Sequence, residues 1–260
     1  MFRPTPITLI PIRFPLVGRG QNLNEVVLDA FARERLRLKR GDVLAVASKV
    51  VSLCENQIIN LDVKVSAKAR RYSQKWRIDS RLAEIVLREA DEILGGVRGF
   101  LLTVKSGILT ANAGVDLKNS PPGTATLWPA NPDATAQRLQ RYLRRRTSVR
   151  IGVEIVDSRV TALRLGTTGL AIGTAGFDPI HDDRGKPDLY GRKIRVTQMN
   201  IADSLAAAAN MLMGERKQRI GAVLIRGAQV NLANHLGSNH LRLKRQQCLI
   251  VSNMRLPGSD

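Results

Sequence analysis

Short apolar runs bounded by Gly, Pro, Asn and Asp alternate along this 260-residue chain with longer stretches of 3.6-residue spacing. The runs predict strands over Ile7–Ile12, Val43–Ala47, Phe100–Val104, Ile108–Ala111, Val149–Val156, Leu170–Ile172, Ile194–Thr197, Ala222–Ile225 and Cys248–Val251. The longer spacing predicts helices over Leu23–Leu36, Ser80–Leu94, Asp133–Arg146 and Ile201–Met213, with Asp133 after "NP" as an N-cap. Strands and helices mix without strict βαβ alternation. That pattern reads as an α+β protein of mixed sheets and packed helices rather than a doubly wound one. "PPGTATLWPANPD" (121–133) reads as a Pro-rich connection and Gly166–Gly176 as a Gly-rich one. A soft boundary near 205–215 gives a main domain over 1–210 and a C-terminal segment over 211–260 that packs back on it.

Hydrophobic residues make up 43% of the chain but aromatics only 4%, so the core must rest on Val, Ile, Leu and Ala. No apolar run approaches the roughly 20 residues that span a bilayer. The prolines that interrupt "MFRPTPITLIPIRFPLVG" argue against a signal peptide. Cys54 and Cys248 form no recognisable framework, which suits a reducing compartment. The expectation is a cytoplasmic protein with no membrane partner.

Charge changes this picture most. The formal net charge of +19 sets up a field that attracts nucleic acid, anionic membrane or phosphorylated small molecules. It is spread over "KARRYSQKWR" (68–77), "QRYLRRRTSVR" (140–150), "RKIR" (192–195), "ERKQR" (215–219) and "LRLKR" (241–245). Several of these segments have helical spacing, where a solvated face accounts for the charge. In "RYLRRR" that spacing puts Arg141, Arg144 and Arg145 near one face. Tyr72, Trp76 and Tyr142 do not make a stacking platform, and no zinc-finger, RNP or helix-turn-helix signature is present. Nucleic-acid binding through the basic surface is the rival functional class.

Two carboxylates stand at predicted strand ends. Asp116 follows "NAG" and precedes "LKN", a place for a metal ligand or a turn-capping Asx. Asp157 and Ser158 close "VEIVDSR" (153–159). An adjacent acid and hydroxyl suit Mg²⁺ or Mn²⁺, and a simple turn cap is the other reading. "GTTGLAIGTAG" (166–176) has glycines that let backbone N–H groups approach phosphate, but no Gly-Lys-Ser/Thr follows. "DDRGKPDLYGRK" (182–193) carries Arg184, Lys186 and Arg192, which could clamp anions or decorate a solvated hairpin. His181, His235 and His240 are isolated, and "HLGSNH" lacks the spacing of a zinc pair. No Ser-His-Asp order or nucleophile elbow is readable.

Together the blocks "LIPIRFPLV" (9–17), "GDVLAVASKVVS" (41–52), "ANAGVDLKN" (111–119), "LWPANPDATA" (127–136), "GLAIGTAG" (169–176), "DLYGRKIRVT" (188–197), "ADSLAAAANMLMGE" (202–215) and "VLIRG" (223–227) resemble the coenzyme F420-0:gamma-glutamyl ligases. These are GTP-dependent enzymes of deazaflavin biosynthesis. The resemblance implies their fold, a homodimer, a Mg²⁺ or Mn²⁺ cofactor and GTP as co-substrate. It implies amide ligation of L-glutamate to an anionic carboxylate acceptor through an acyl phosphate.

Residue by residue, the resemblance implies metal ligation by Asp116, Asp157, Ser158 and Glu215. Nucleotide contacts map to Arg13, Phe14, Ser48, Lys49, Asn119 and the Leu212–Met213–Gly214 turn. Asp116, Asp157 and Arg164 are the implied catalytic set, and Lys186, Tyr190 and Arg192 the implied grip on the acceptor. Three positions depart from the family pattern. Leu53 stands where a nucleotide-binding lysine is usual, Thr161 where an arginine is usual, and "IRFP" (12–15) lacks the usual glycine. These departures open two alternatives, a paralogue acting on another acceptor such as a folate-like molecule, or a non-catalytic nucleic-acid-binding relative.

Overall fold

A computed structural model of the chain describes residues 6–214, 217–234 and 237–254. The described residues gather into two compact units, one drawn from Met1–Glu55, Pro129–Ser158 and Thr167–Leu241, the other from Asn56–Trp128, Arg159–Gly166 and Arg242–Asp260.

The first unit is organised by a five-stranded sheet. Its strands are β1 (Thr8–Arg13), β2 (Val43–Ala47), β8 (Gly152–Val160), β9 (Thr167–Ala175) and β12 (Ile220–Arg226), in the order β1-β12-β2-β8-β9. β12 runs antiparallel to both β1 and β2, and β2 runs parallel to β8 with Val43 opposite Gly152 and Ala47 opposite Val156. β12, from the C-terminal fifth of the chain, is thus an interior strand. Helices α1 (Leu23–Arg33), α2 (Ser48–Cys54), α5 (Pro132–Thr147) and α6 (Ile201–Met213) belong to this unit. The core joins Val43, Ala45, Val223 and Ile225 of the sheet to Ala202, Leu205, Ala206 and Ala209 of α6.

Glycines bring the helices close. A Cβ at Gly169 would lie 2.1 Å from the Ala206 carbonyl oxygen, and one at Gly173 2.4 Å from the Pro132 carbonyl carbon. The expected Gly-rich connection is therefore a buried strand, and these two glycines make room for helix backbone. As the outermost strand, β9 leaves N–H groups unpaired in the sheet, and carboxylates reach them. Asp203 accepts from the Ala171 N–H at 3.0 Å and Asp133 from the Thr174 N–H at 2.9 Å.

The second unit contains α3 (Ala67–Trp76), α4 (Ser80–Glu89) and the antiparallel sheet β4 (Glu92–Val97), β5 (Phe100–Lys105), β6 (Ile108–Ala111). A two-stranded ribbon pairs β3 (Ile58–Asn60) with β7 (Thr124–Thr126). Its core includes Leu82, Ile85, Val86, Leu101, Ala113 and Val115.

Several boundaries differ from the sequence pattern for local reasons. α1 stops at Arg33 because Arg35 turns left-handed at φ 51. α4 stops at Glu89, and the apolar residues that follow it form β4. Asn131 caps α5, its side chain accepting from the Ala134 N–H, so Asp133 is not the cap and turns instead to β9. Residues 194–197 are not a strand; β11 (Gln198–Asn200) pairs with β10 (Ile180–Asp182) just beyond them. Cys248–Val251 is turn and 3₁₀ structure, not a strand.

Candidate functional site

β1, β2 and β8 run in one direction, so their C-terminal ends share one end of the central sheet. Arg13 closes β1, and the Phe14 N–H donates to Arg219 O at 2.9 Å beside the start of β12. Ser48 and Lys49 open α2 directly after β2. Asp157 and Ser158 follow Val156 on β8, the partner of Ala47. α6 ends at Met213, and Gly214 packs against the Gln218 side chain as the chain enters β12. Topology thus gathers Arg13, Phe14, Ser48, Lys49, Asp157, Ser158 and the Leu212–Gly214 turn, residues spread over two hundred positions of sequence.

The side chains differ in what they offer. Phe14 is buried against Gly221, where a Cβ would lie 2.4 Å from its ring, so its side chain belongs to the core. Ser48 is buried, and α2 differs from the five longer helices. Asn22, Ser66, Asp79, Asn131 and Asn200 cap those, whereas Ala47 leaves α2 without a side-chain cap. Asp157 Oδ1 accepts the Ser158 N–H at 2.8 Å, and both residues are half-buried. Carboxylate and hydroxyl oxygens are the donors a hard divalent cation prefers.

Asp116 belongs to the second unit and sits in a defined turn. Its backbone pairs with Thr126 in both directions, at 2.9 and 2.8 Å, and its Oδ1 accepts the Lys118 N–H at 2.8 Å. Asn112, Ala113 and Gly114 before it all have positive φ, and Asn119 after it is left-handed at φ 56. Asn112 holds this strained run by accepting the Leu101 N–H at 2.8 Å. Arg164 lies on an exposed connection, Leu163 and Leu165 beside it projecting fully into solvent.

The loop between β10 and β11 pairs its charges locally. Lys186 Nζ lies 2.8 Å from Asp183 Oδ1, Arg192 Nε lies 3.0 Å from Asp188 Oδ2, and the Arg192 guanidinium stacks 5.5 Å from the Tyr190 ring. The Arg184 guanidinium holds Asp182 far below the usual carboxylate range, and Lys186 lowers Asp183. Glu215 and His235 lie outside the described residues. Among the described residues, no three His, Cys, Asp or Glu side chains cluster as metal ligands.

Two features lay beyond the reach of sequence patterns. Glu154, inside the apolar "VEIV", is wholly buried on β8 with neither carboxyl oxygen hydrogen-bonded. Burial first, and the Asp203 charge second, push its pKa well above the ordinary range. A cleft of about 360 Å³ lies at the start of α1, lined by Asn22, Cys54, Glu55, Thr135 and Arg138 among others. Glu55 accepts there from Arg138 at 3.1 Å and from the Ala130 N–H at 3.1 Å. Burial, then Glu55, pushes the Cys54 thiol up to about 11, so it is protonated and unreactive at neutral pH. An acid within an apolar strand was the only sequence signal for Glu154.

The family model of F420-0:gamma-glutamyl ligase matches residues 11–227, from the end of β1 to just past β12. The chain belongs to the F420-0:gamma-glutamyl ligase family. It is similar to the coenzyme F420:L-glutamate ligase of Methanopyrus kandleri, 38% identical over 228 residues covering 87% of this chain and 88% of that protein. The protein of the same name from Methanothermobacter thermautotrophicus is 36% identical over 224 residues, 85% and 89% of the two chains. That of Methanocaldococcus jannaschii is 34% identical over 242 residues, 92% and 95%.

The family match contains every residue of the gathered sheet end. Within it, this F420-0:gamma-glutamyl ligase family member keeps half-buried Leu53 on α2, whose carbonyl accepts the Gly20 N–H at 2.9 Å. It keeps Thr161 on the exposed connection after β8. No described helix is long and apolar enough to cross a membrane.

Proposed function

We propose that this chain is a GTP-dependent ligase that joins L-glutamate through an amide bond to an anionic carboxylate acceptor. The observation that carries the reading is the gathering of Arg13, Ser48, Lys49, Asp157, Ser158 and the Leu212–Gly214 turn at one sheet end. In this reading the acceptor carboxylate oxygen takes the γ-phosphoryl group of GTP, releasing GDP and leaving an acyl phosphate. The amine of glutamate then attacks the acyl carbon, the C–O bond to phosphate breaks, and inorganic phosphate leaves. In this reading Arg13 and Lys49 offset phosphate charge, and the family resemblance assigns Arg164 to the catalytic set.

Asp157 and Ser158 offer the hard oxygen donors that Mg²⁺ or Mn²⁺ prefers and would hold either ion, and the family resemblance assigns Asp116 and Glu215 to the same role. The bound ion would neutralise phosphate charge. Lys186, Tyr190 and Arg192 are assigned to the acceptor, and the two cations would exchange Asp183 and Asp188 for its carboxylates. A homodimer accompanies this reading, motivated by the fully exposed Leu163 and Leu165, and sedimentation would return a monomer mass if it is wrong.

Calorimetry with GDP and Mn²⁺ tests the core of the proposal. Metal-dependent binding that Asp157→Asn and Asp116→Asn abolish supports it, and its absence in the wild type overturns it. Leu53 and Thr161 favour a second reading in which the acceptor is another γ-carboxylate compound, such as a folate-like molecule. A phosphate-release screen of acceptors with glutamate separates the two, since turnover with the deazaflavin precursor alone removes the second.

A further inference from the structure

The opposite end of the central sheet carries a separate concentration of charge. Two chain segments meet there. The last residue of α1 and the connection that follows it (33–40, "RERLRLKR") contain five cations and one acid, Glu34. The last turn of α5 and its exit (143–150, "LRRRTSVR") contain four cations and no acid. Gly41 donates its N–H to Arg150 O at 3.1 Å and Gly152 to Asp42 O at 2.9 Å, which joins the ends of the two segments where parallel strands β2 and β8 begin. Ser48 and Asp157 stand at the far ends of those strands. At about 3.3 Å per residue, β2 alone separates the two ends by roughly 13 Å. The cluster therefore does not serve the proposed ligase site.

Local pairing does not neutralise it. Arg226 and Asp42 pair with each other at 2.8 Å, so the buried Asp42 is already matched by its own cation. Arg138, one turn before Arg141 on α5, is paired with Glu55. By contrast, the exposed side chains of Arg144, Arg145, Arg146 and the five cations of 33–40 make no ion pair among the described residues. Part of this charge sits well at the C-terminus of α5, where the helix dipole favours cations. The dipole explains the last turn of α5, but not the five cations of the segment joined to its exit.

We infer that this surface binds the phosphodiester backbone of nucleic acid, independently of sequence. Eight of its nine cations are arginine, whose planar fork takes phosphate oxygens in pairs. An inserted membrane anchor is not available, since none of the exposed large apolar side chains falls in either segment and Leu36 and Leu38 are half-buried. Neither segment carries an aromatic or amide residue to read bases, and the nearby Asn234 amide is held by Arg150 at 3.4 Å, so phosphate contact dominates.

The test is a titration of the full chain against a 20-bp duplex across a salt series, without nucleotide or divalent metal. For the wild type, log affinity falls linearly with log salt, by about 0.9 per phosphate neutralised. The variant R144Q/R145Q/R146Q flattens that slope, whereas K68Q/R71Q/K75Q on α3, with the same loss of charge, leaves it unchanged. If the first variant fails to fold, Arg37→Gln with Arg40→Gln carries the same test. Equal loss from both sets, no salt-dependent binding by the wild type, or preference for phosphatidylserine vesicles over the duplex overturns the inference. Manganese-dependent GDP binding, measured in parallel, is unaffected by R144Q/R145Q/R146Q, so failure of one reading leaves the other standing.

Discussion

Trp128 packs its indole directly on Gly114: a Cβ added to the glycine would lie 2.2 Å from the ring nitrogen, Nε1. The contact joins the "NAG" turn that leads to Asp116 with the start of the "LWPANPD" block. Gly114 also has φ +73, a conformation costly for any residue with a side chain. Gly114→Ala combines that backbone cost with overpacking and should destabilise the protein by about 2–5 kcal/mol. Trp128→Ala should cost about 3–5 kcal/mol through the cavity it leaves. Urea midpoints at constant m-value check both.

Glu154 makes stability fall as pH rises. Its folded-state pKa is raised, so the native state holds a proton that the unfolded state releases. The contribution is fully present below about pH 4.5, and it is lost as pH rises toward the folded value. The slope is at most about 1.4 kcal/mol per pH unit. Glu154→Leu removes the titration and should gain stability over wild type at pH 8 more than at pH 5. Paired denaturation curves at the two pH values decide, and a constant difference would mean that Glu154 does not titrate.

The Asp42–Arg226 pair ties the start of β2 to the end of β12. Arg226 Nη2 also donates to Arg37 O at 2.7 Å, and Asp42 is almost wholly buried. Arg226→Met leaves that carboxylate uncompensated and should cost about 2–4 kcal/mol. Adding Asp42→Asn to Arg226→Met should recover part of the loss, which a double-mutant cycle measures.

Leu53 offers no charge to a phosphate. If the lysine usual in the family contacts nucleotide, Leu53→Lys should tighten GDP binding about tenfold, as expected of a charge-assisted hydrogen bond. Calorimetry with Mn²⁺ reads the change. Unchanged affinity would place Leu53 outside the nucleotide contacts.

Much of this protein is legible in local chemistry alone. Val43–Ala47, Ile108–Ala111 and Ile201–Met213 are bounded where their apolar patterns begin and end, because each is a local apolar pattern flanked by turn or cap residues. The ordered blocks from "LIPIRFPLV" (9–17) to "VLIRG" (223–227) are enough to indicate the family. Helix α3 is visible only as a run of charge, since it buries little more than Ala69 and so shows almost no apolar stripe.

Other assignments depend on groups far apart in sequence. Asp133 stands where a cap belongs, yet Asn131 caps α5 and Asp133 serves β9 and Ser238, 105 residues away. The glycines of 166–176 suggest phosphate, but Gly169 and Gly173 face helix backbone, a constraint imposed by packing. The gathering of Arg13, Ser48 and Asp157 at one sheet end follows from strand order and direction, which β12 decides by inserting between β1 and β2. Composition supplies the charge of +19, but only the fold sets nine of those cations at the other end, because strand pairing joins the ends of 33–40 and 143–150. Periodicity and caps act over a few residues and are written in the sequence; which surfaces meet is a property of long-range pairing, and the tertiary structure alone decided it.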